Sequence, residues 1–582
     1  MSKSPPFLAT TSLEEFWDVS RPMLFLGESC KRFSRRPFWE KLDARTIPQP
    51  YDDAEAACIY DRLEALFQKL LPELSDRLNA IHGTRHGFRY WRILLGPWLR
   101  HYLHASFDRY SRLKAALSAH PDLVTVVLDE RCYVVPSDSR EALDLLKTDF
   151  YNLQLVSNIL AWMGYEFPVR RQDPPASNEA APGWRKTLKR WILKMLALNQ
   201  STWRILFKDA GFSHGVQMRL IWRTRGMAWP MPITEEKIRV PLDPLMRRRL
   251  AEPDWGQDEF EHLSFRLIAK GMPLSMVEGY GKLRSIGHGA LARVPRAILS
   301  AVSWHFDDAF KVWAADAAER GTMLLGVQHG GNYGSLERLI QRTIELDAVD
   351  RFYSWGWESS DPQDVRVIPL PSALLSDRKI AQSPPDADIL MVVTHMSRFL
   401  LHFPMTEEYG EDYFRAQRIF IGALSTAVLS QLRVRPHAED MGCDAEARLR
   451  DVYPTIRIEG WGVSLSESIA RCRLFVCDHA LFSTTCLEAL CANRPSIWIY
   501  HPHRVYDQLR KDAEPYFEKL ASVGVLYSDP RRAAETVNAI QGHPFEWWME
   551  TARQTAIRDF IERFARTAAD SLAAWIQELD VI

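Results

Sequence analysis

The chain lacks the signatures that would assign it quickly. Its eight cysteines include no Cys-x-x-Cys pair, and there is no P-loop, no Gly-x-Ser-x-Gly elbow, no His-Glu-x-x-His and no Asp-x-Asp motif set in a strand. These absences remove Walker-type NTPases, α/β-hydrolases and zincin metalloproteases from consideration. Cys472/Cys477 and Cys486/Cys491 recur at equal spacing, but the second pair falls in an apolar helical stretch. Cysteine there is a small core residue rather than a zinc ligand. No uninterrupted apolar run is long enough to span a bilayer, and the opening "MSKSPPFLATTSLEEFW" has no apolar signal core. The expectation is a cytoplasmic protein with reduced thiols. Charge of one sign is missing too: 73 Lys and Arg stand against 74 Asp and Glu, a formal net charge of -1. That balance argues against a general nucleic-acid binder and leaves local basic patches open.

What is present is ordinary globular material, 46% hydrophobic and 25% charged, in 582 residues. That length exceeds one hydrophobic core and predicts at least two domains. Many of the 20 tryptophans sit beside Arg or Gly, as in "RYWRILLGPWLR" and "YSWGWE". Rings next to polar groups suit sugar or nucleotide stacking, although most belong in the core or a domain interface. "PMLFLGESC" (22–30) reads as a short strand ending in Gly27-Glu28. The stretch after it has helical apolar spacing and stops at Gly83, and a second long helix follows, with Gly96-Pro97 predicted to kink it. "LVTVVLDERCYVVP" is β-rich, and 170–183 reads as a surface loop or a poorly ordered insertion. "WRKTLKRWILKMLALNQSTWRILFK" (184–208) is basic and amphipathic, either packed on its own domain or resting on a membrane surface. "MPLSMVEGYG" and "TMLLGVQHGG" read as further strands, separated by helical "ILSAVSWHFDDAFKVWAADAAERG".

A Pro-, Ser- and Asp-rich stretch at 358–387 is the predicted linker between a first domain (1–357) and a second (388–540). Beyond it strands and helices alternate cleanly through "DILMVVTH", "TAVLSQLRVRPH", "SLSESIARCRLFVCDHALFSTTCLEALCANRPSIWIY" and "VGVLYSD". That alternation predicts a doubly wound parallel sheet. Residues 541–582 are helical and predicted to pack across one or both domains.

Five places could carry chemistry. In "GVQHGGNYGS" a strand ends in Gln328, His329, Gly330, Gly331 and Asn332 just before a helix, which is either a tight turn or a ligand site at a strand's carboxyl end. In "LFVCDHALFSTTCLEAL" a strand ends at Asp478, and Ser483, Thr484 and Thr485 open a helix containing Glu488. Hydroxyls and free N–H groups at a helix start form a phosphate cradle, with Glu488 in reach of a ribose; the plainer alternative is a capped helix with a surface glutamate. Arg435 and His437 follow a strand and suit a leaving phosphate. Glu278 and, after it, Glu28 stand beside glycines as candidate general bases. His288 and His395 read as structural, and no metal site is expected.

The blocks "FLGESC", "RYWRILLGPWL", "VEGYG", "FKVWAA", "VQHGGNYG", "YSWGWE", "VRPHAED" and "DHALFSTTCLEAL" resemble the transferases of bacterial surface-polysaccharide loci, first named from leptospiral O-antigen clusters. The resemblance covers nearly the whole chain. More distantly the chain is similar to capsule Kdo transferases and bacterial sialyltransferases, which implies an α/β, GT-B-like fold of two Rossmann-like domains facing a cleft. It also implies a CMP-linked sugar donor with no cofactor and a glycan or lipid-linked glycan acceptor; association with the inner face of the inner membrane is the expectation left open by the basic stretch at 184–208. By the same resemblance Glu278-Gly279 matches an acidic-acidic-Gly base motif with Val277 replacing the first acid. Arg435-Pro436-His437 stands where a His-Pro motif contacts phosphate, in altered order. Ser483, Thr484 and Thr485 match the hydroxyl pair, and His329 the histidine of the QHG block. Two alternatives stay open, a CDP-glycerol or ribitol-type polyol-phosphate transferase and a non-catalytic sugar-binding scaffold.

Overall fold

A computed structural model describes residues 4–175, 203–231, 237–252, 256–288, 294–359, 366–376, 387–394, 396–479, 483–500 and 508–582. His395 and the basic stretch up to residue 202 lie outside the described residues.

Three parallel sheets and one short strand pair form the scaffold. The first sheet is β1 (Phe7–Ala9), β2 (Met23–Phe25) and β3 (Ala44–Thr46), in sequential order. β4 (Val127–Leu128) pairs with β5 (Val169–Arg170), so only a fragment of the predicted β-rich stretch is strand. The second sheet contains β6 (Ile205–Lys208), β7 (Ala228–Pro230), β8 (Ala297–Ser300), β9 (Met323–Val327), β10 (Arg351–Ser354) and β11 (Val367–Pro369), ordered β11-β10-β9-β8-β6-β7. The third contains β12 (Ile389–Val392), β13 (Leu432–Arg435), β14 (Arg457–Ile458), β15 (Leu474–Cys477), β16 (Ser496–Ile499) and β17 (Leu526–Tyr527), ordered β14-β13-β12-β15-β16-β17. Every pairing in these two large sheets is parallel. Most of their strands are short buried apolar runs, as sheets covered on both faces require. Strand order reverses between β6 and β8 in one and between β12 and β15 in the other. Such switch points open a crevice at the carboxyl ends.

Several predicted elements change identity. "RILFK" is not the end of an amphipathic helix but contains β6, a central strand, because its apolar residues lie between β7 and β8. "AILS" is β8 rather than helix. "MPLSMVEGYG" is not a strand: Leu274–Met276 is a 3-10 turn and Tyr280 opens a helix to His288. Ser275 is drawn into the helical layer by Asp308, its Oγ donating at 2.7 Å. The stretch expected as linker contributes β11, so the first large sheet extends through residue 369. The second long helix, Phe88–Ala119, runs unbroken through Gly96-Pro97.

The long helices Asp53–His82 and Phe88–Ala119 pack on each other and form the body of the first domain. The C-terminal helices reach both domains. Phe560 of helix Thr551–Phe564 packs edge-on to Trp498 in β16, while Trp575 of helix Ser571–Asp580 meets Tyr353 in β10.

The loop after β12 is inserted into the first domain. Arg109 donates to the Leu400 carbonyl (2.7 Å), and the Phe403 N–H donates to His104 Nδ1 (3.0 Å). The Ser29 N–H donates to Glu407 Oε2 (2.9 Å), and Arg398 bonds the Ser29 carbonyl and Asp149. Buried polar groups with partners on the opposite domain hold the two halves together.

Candidate active site

The turn after β9 is built by close backbone contacts. Gln328 is 1% exposed. Its Oε1 accepts from the Trp355 N–H (2.8 Å) and Trp357 Nε1 (2.7 Å), while its Nε2 donates to the Gly330 carbonyl (2.6 Å). Gln328 therefore shapes the turn instead of facing the cleft. A Cβ on Gly334 would fall 2.3 Å from Trp357, so only glycine fits where this turn crosses the tryptophan.

His329 next to it meets a buried carboxylate. Its Nδ1 lies 3.0 Å from Glu345 Oε1, which also takes a hydrogen bond from Tyr333 Oη (2.7 Å) and contacts His305 Nε2 (2.6 Å). Glu345 is fully buried, while the His329 side chain is 28% exposed. Burial disfavours the His329 imidazolium, but the Glu345 charge and hydrogen bond outweigh it and raise its pKa above 6.5. Glu345 is held below its usual 4.5 because the two imidazoles overcome its desolvation. His305, 3% exposed, is lowered by burial. A neutral His329 donating Nδ1–H to Glu345 leaves Nε2 as a basic nitrogen.

The second domain presents its helix start to the same turn. A Cβ on Gly331 would lie 3.1 Å from the Ser483 carbonyl oxygen and 3.3 Å from the Thr484 Cα. The two stretches that sequence singled out in separate domains thus touch. The Ser483 side chain makes no capping bond to helix Thr484–Cys491, contrary to the plain cap alternative, and Glu488 is buried rather than a surface charge. Gly330 and Asn332 belong to the same turn, with the Asn332 carbonyl accepting from the Ser335 and Leu336 N–H groups. The loop pairing continues where the Arg510 N–H donates to Ser335 and the Glu337 N–H to Gln508.

Asp478 sits at the third sheet's switch point. It accepts from Tyr413 Oη and Gln417 Nε2, both at 2.7 Å, and desolvation pushes its pKa up to about 6.

Between the domains lies a cavity of about 430 Å³. His101, Arg140, Lys147 and His305 line it from the first domain, with His402 and His437 opposite. Burial lowers His101 to about 3 and also lowers His402, so these imidazoles are neutral hydrogen-bonding groups. Lys147 spans the cleft to Glu439 at 2.9 Å. His437 stands at the exposed rim.

Other predicted residues lie elsewhere. Glu278 is not at a strand end. Both its oxygens engage Arg247 at 2.8 Å, its side chain is 4% exposed, and the pair is sealed in the helical layer. Arg435 is neutralised by Glu459 (2.9 Å) and also donates to Ser468 Oγ and the Val463 carbonyl under the Trp461 ring. It is a structural arginine, not an open phosphate ligand. Glu28 pairs with Lys31 at 2.8 Å and lines a small hollow with Arg398 and Glu411. Sequence reading missed Glu345, Tyr333, His305, His101 and His402. Tyr333 lay inside the quoted block, whereas nothing in the helical stretch "IQRTIELDA" marks Glu345 out.

Among the described residues, His305, His329 and Glu345, and separately His86, Asp316 and Glu319, have ligand atoms within 4.8 Å of one another, as a metal site would need. In the first group the atoms touch directly as hydrogen-bonded partners.

Two doubly wound sheets whose carboxyl ends look onto one cavity make this a GT-B-like α/β protein. The chain belongs to the LIC12162 family transferases, whose sequence profile matches residues 6–579. A search of curated proteins finds no match. Among solved structures it is similar to Anabaena Alr3699/HepE in complex with UDP-glucose, at 12% identity and TM-score 0.35, covering 65% of this chain and 98% of that one. It is similar to the α,α-trehalose 6-phosphate synthase of Burkholderia multivorans at 9% identity and TM-score 0.33, covering 65% and 96%. It also resembles the wall teichoic acid polymerase TagF at 11% identity and TM-score 0.32, covering 68% and 93%. Likeness at this level carries no argument, and the architecture rests on the strand orders. Among the described residues no helix is long and apolar enough to cross a membrane.

Proposed function

We propose that the protein is a GT-B-type glycosyltransferase that moves a sugar from a nucleotide-linked donor to a surface-glycan acceptor in the interdomain cavity. The observation that carries this reading is the contact of Gly331 with Ser483 and Thr484, which sets the His329–Glu345 pair beside an anion-accepting helix start. The donor phosphate rests on Ser483, Thr484, Thr485 and the backbone N–H groups there, in the dipole of helix Thr484–Cys491. Asp478 and Glu488 shape the nucleotide side. The acceptor enters from the first domain, and His329 Nε2 takes its hydroxyl proton, replacing Glu278 in that role. Glu345 orients the imidazole and balances the imidazolium that forms, as the acid of a catalytic triad does. Leaving-group charge is stabilised by the fixed dipoles of that helix start and by Arg140, and transfer on this reading is metal-independent. A CMP-activated ulosonic acid is the donor we infer, supported by the family resemblance of the Ser483–Thr485 block.

The test is a thermal-shift panel of nucleotides and nucleotide sugars, followed by transfer assays with EDTA. A bound nucleotide at a hundred times its Kd stabilises by about 2.7 kcal/mol, a shift easily read. His329→Ala is expected to lose transfer while keeping the nucleotide shift. If no nucleotide shifts the melting temperature, the transferase reading fails and the scaffold alternative takes its place. Phosphorus retained in the product would instead mark polyol-phosphate transfer.

A further inference from the structure

The amino ends of the first large sheet, opposite the cleft, carry a row of arginines. Along the strand order β9-β8-β6-β7, each strand is preceded by an exposed arginine: Arg320, Arg296, Arg204 and Arg225. Backbone bonds tie three of the lead-in segments together. The Arg296 N–H donates to the Arg204 carbonyl (2.7 Å), and the Arg204 N–H to the Met227 carbonyl (2.9 Å). With strands about 4.8 Å apart, the row spans on the order of 15 Å.

Beside this row runs helix His214–Arg223, which connects β6 to β7. It buries Val216 and Leu220 and turns Met218 (65% exposed) and Trp222 (80% exposed) outward, one turn apart, with Arg219 and Arg223 on the same side. The helix contains no acidic residue. Two of the acids nearby are already engaged: Asp570 takes Arg223 at 3.0 Å, and Glu319 takes His86 at 2.8 Å. A tryptophan this open is rare on a surface with only water against it.

We propose that this face docks on an anionic phospholipid bilayer, with Trp222 and Met218 entering the headgroup region and the arginine row meeting lipid phosphates. Tryptophan at the interface and arginine stems lying along it are the two halves of such contacts. A polyanion such as DNA would use the arginines but gives no account of the paired apolar side chains. Docked this way, the cavity at the opposite ends of the strands stays open to solvent.

The experiment is sedimentation of the full-length protein with vesicles of phosphatidylcholine alone and of phosphatidylcholine mixed equally with phosphatidylglycerol. Pelleting with the anionic vesicles only, reversed by high salt, is expected. Arg204→Glu with Arg296→Glu is expected to lower the partition coefficient roughly tenfold or more. Met218→Ala with Trp222→Ala is expected to lower it as well, while melting temperature and nucleotide binding stay unchanged. Equal binding to neutral vesicles, no pelleting at all, or both double variants pelleting like wild type would overturn the proposal. Retention on DNA without vesicle binding would overturn it too, in favour of a nucleic-acid partner.

Discussion

At the scale of single residues, the His329–Glu345 pair decides the pH behaviour. Its raised folded pKa means that the pair stabilises the fold fully below 6.5, and this contribution is lost as pH rises through the folded value. Catalysis runs the other way, because only the neutral imidazole can accept a proton. The rate is expected to rise with pH through a value above 6.5. Glu345→Gln removes the cause of the shift, so the rising limb of kcat/KM should move to lower pH while the plateau falls by roughly a hundredfold or more. A pH–rate profile of both proteins checks this, and an unmoved limb would separate Glu345 from the titrating group. Glu278 makes the opposite case. Its pair with Arg247 is sealed, so Glu278→Gln is expected to cost about 3 kcal/mol in denaturant unfolding. It should leave the pH profile of transfer in place.

At the scale of elements, the turn after β9 and the helix after β15 matter as a pair. Gly331→Val pushes a branched side chain against the Ser483 carbonyl and the Thr484 Cα, so the two must separate. A displacement of about 1 Å at reacting groups costs on the order of a hundredfold, and that loss is expected in kcat/KM with the circular dichroism unchanged. Wild-type rates would show that this contact does not position the reaction. Both elements were legible in the sequence because each is an apolar strand that ends abruptly in polar residues and small turns. The alternation after residue 388 likewise revealed the second domain's sheet. What stayed hidden has physical reasons. β6 and β8 are buried four-residue strands, too short to show a period distinguishing them from helix. Arg435 and Glu278 carry charge at plausible positions, and only the partner brought by the fold, Glu459 or Arg247, reveals that the charge is spent. Glu345 gave no signal because helical spacing alone does not say which face His305 and Tyr333 will cover.

At the scale of the whole molecule, the domains are joined by charge buried between them. Asp108, fully buried, pairs with Arg109 (3.1 Å) and Arg112 (2.9 Å), and these arginines in turn reach Leu400 and Glu408 of the second domain. Asp108→Asn leaves both guanidinium groups under-compensated and is expected to cost about 3–5 kcal/mol. Calorimetry is expected to show one transition for the wild type and two for the variant; a single transition at the wild-type temperature would mean that the domains are coupled by other contacts. The inserted loop after β12 has a mechanical corollary. A lobe pinned along residues 398–407, and again where the Glu337 and Arg510 N–H groups cross between the domains, cannot swing like the jaw of a free hinge. Ligands of the enclosure are then expected to exchange through its exposed rim beside His437, and a crosslink across that rim would trap whatever it holds.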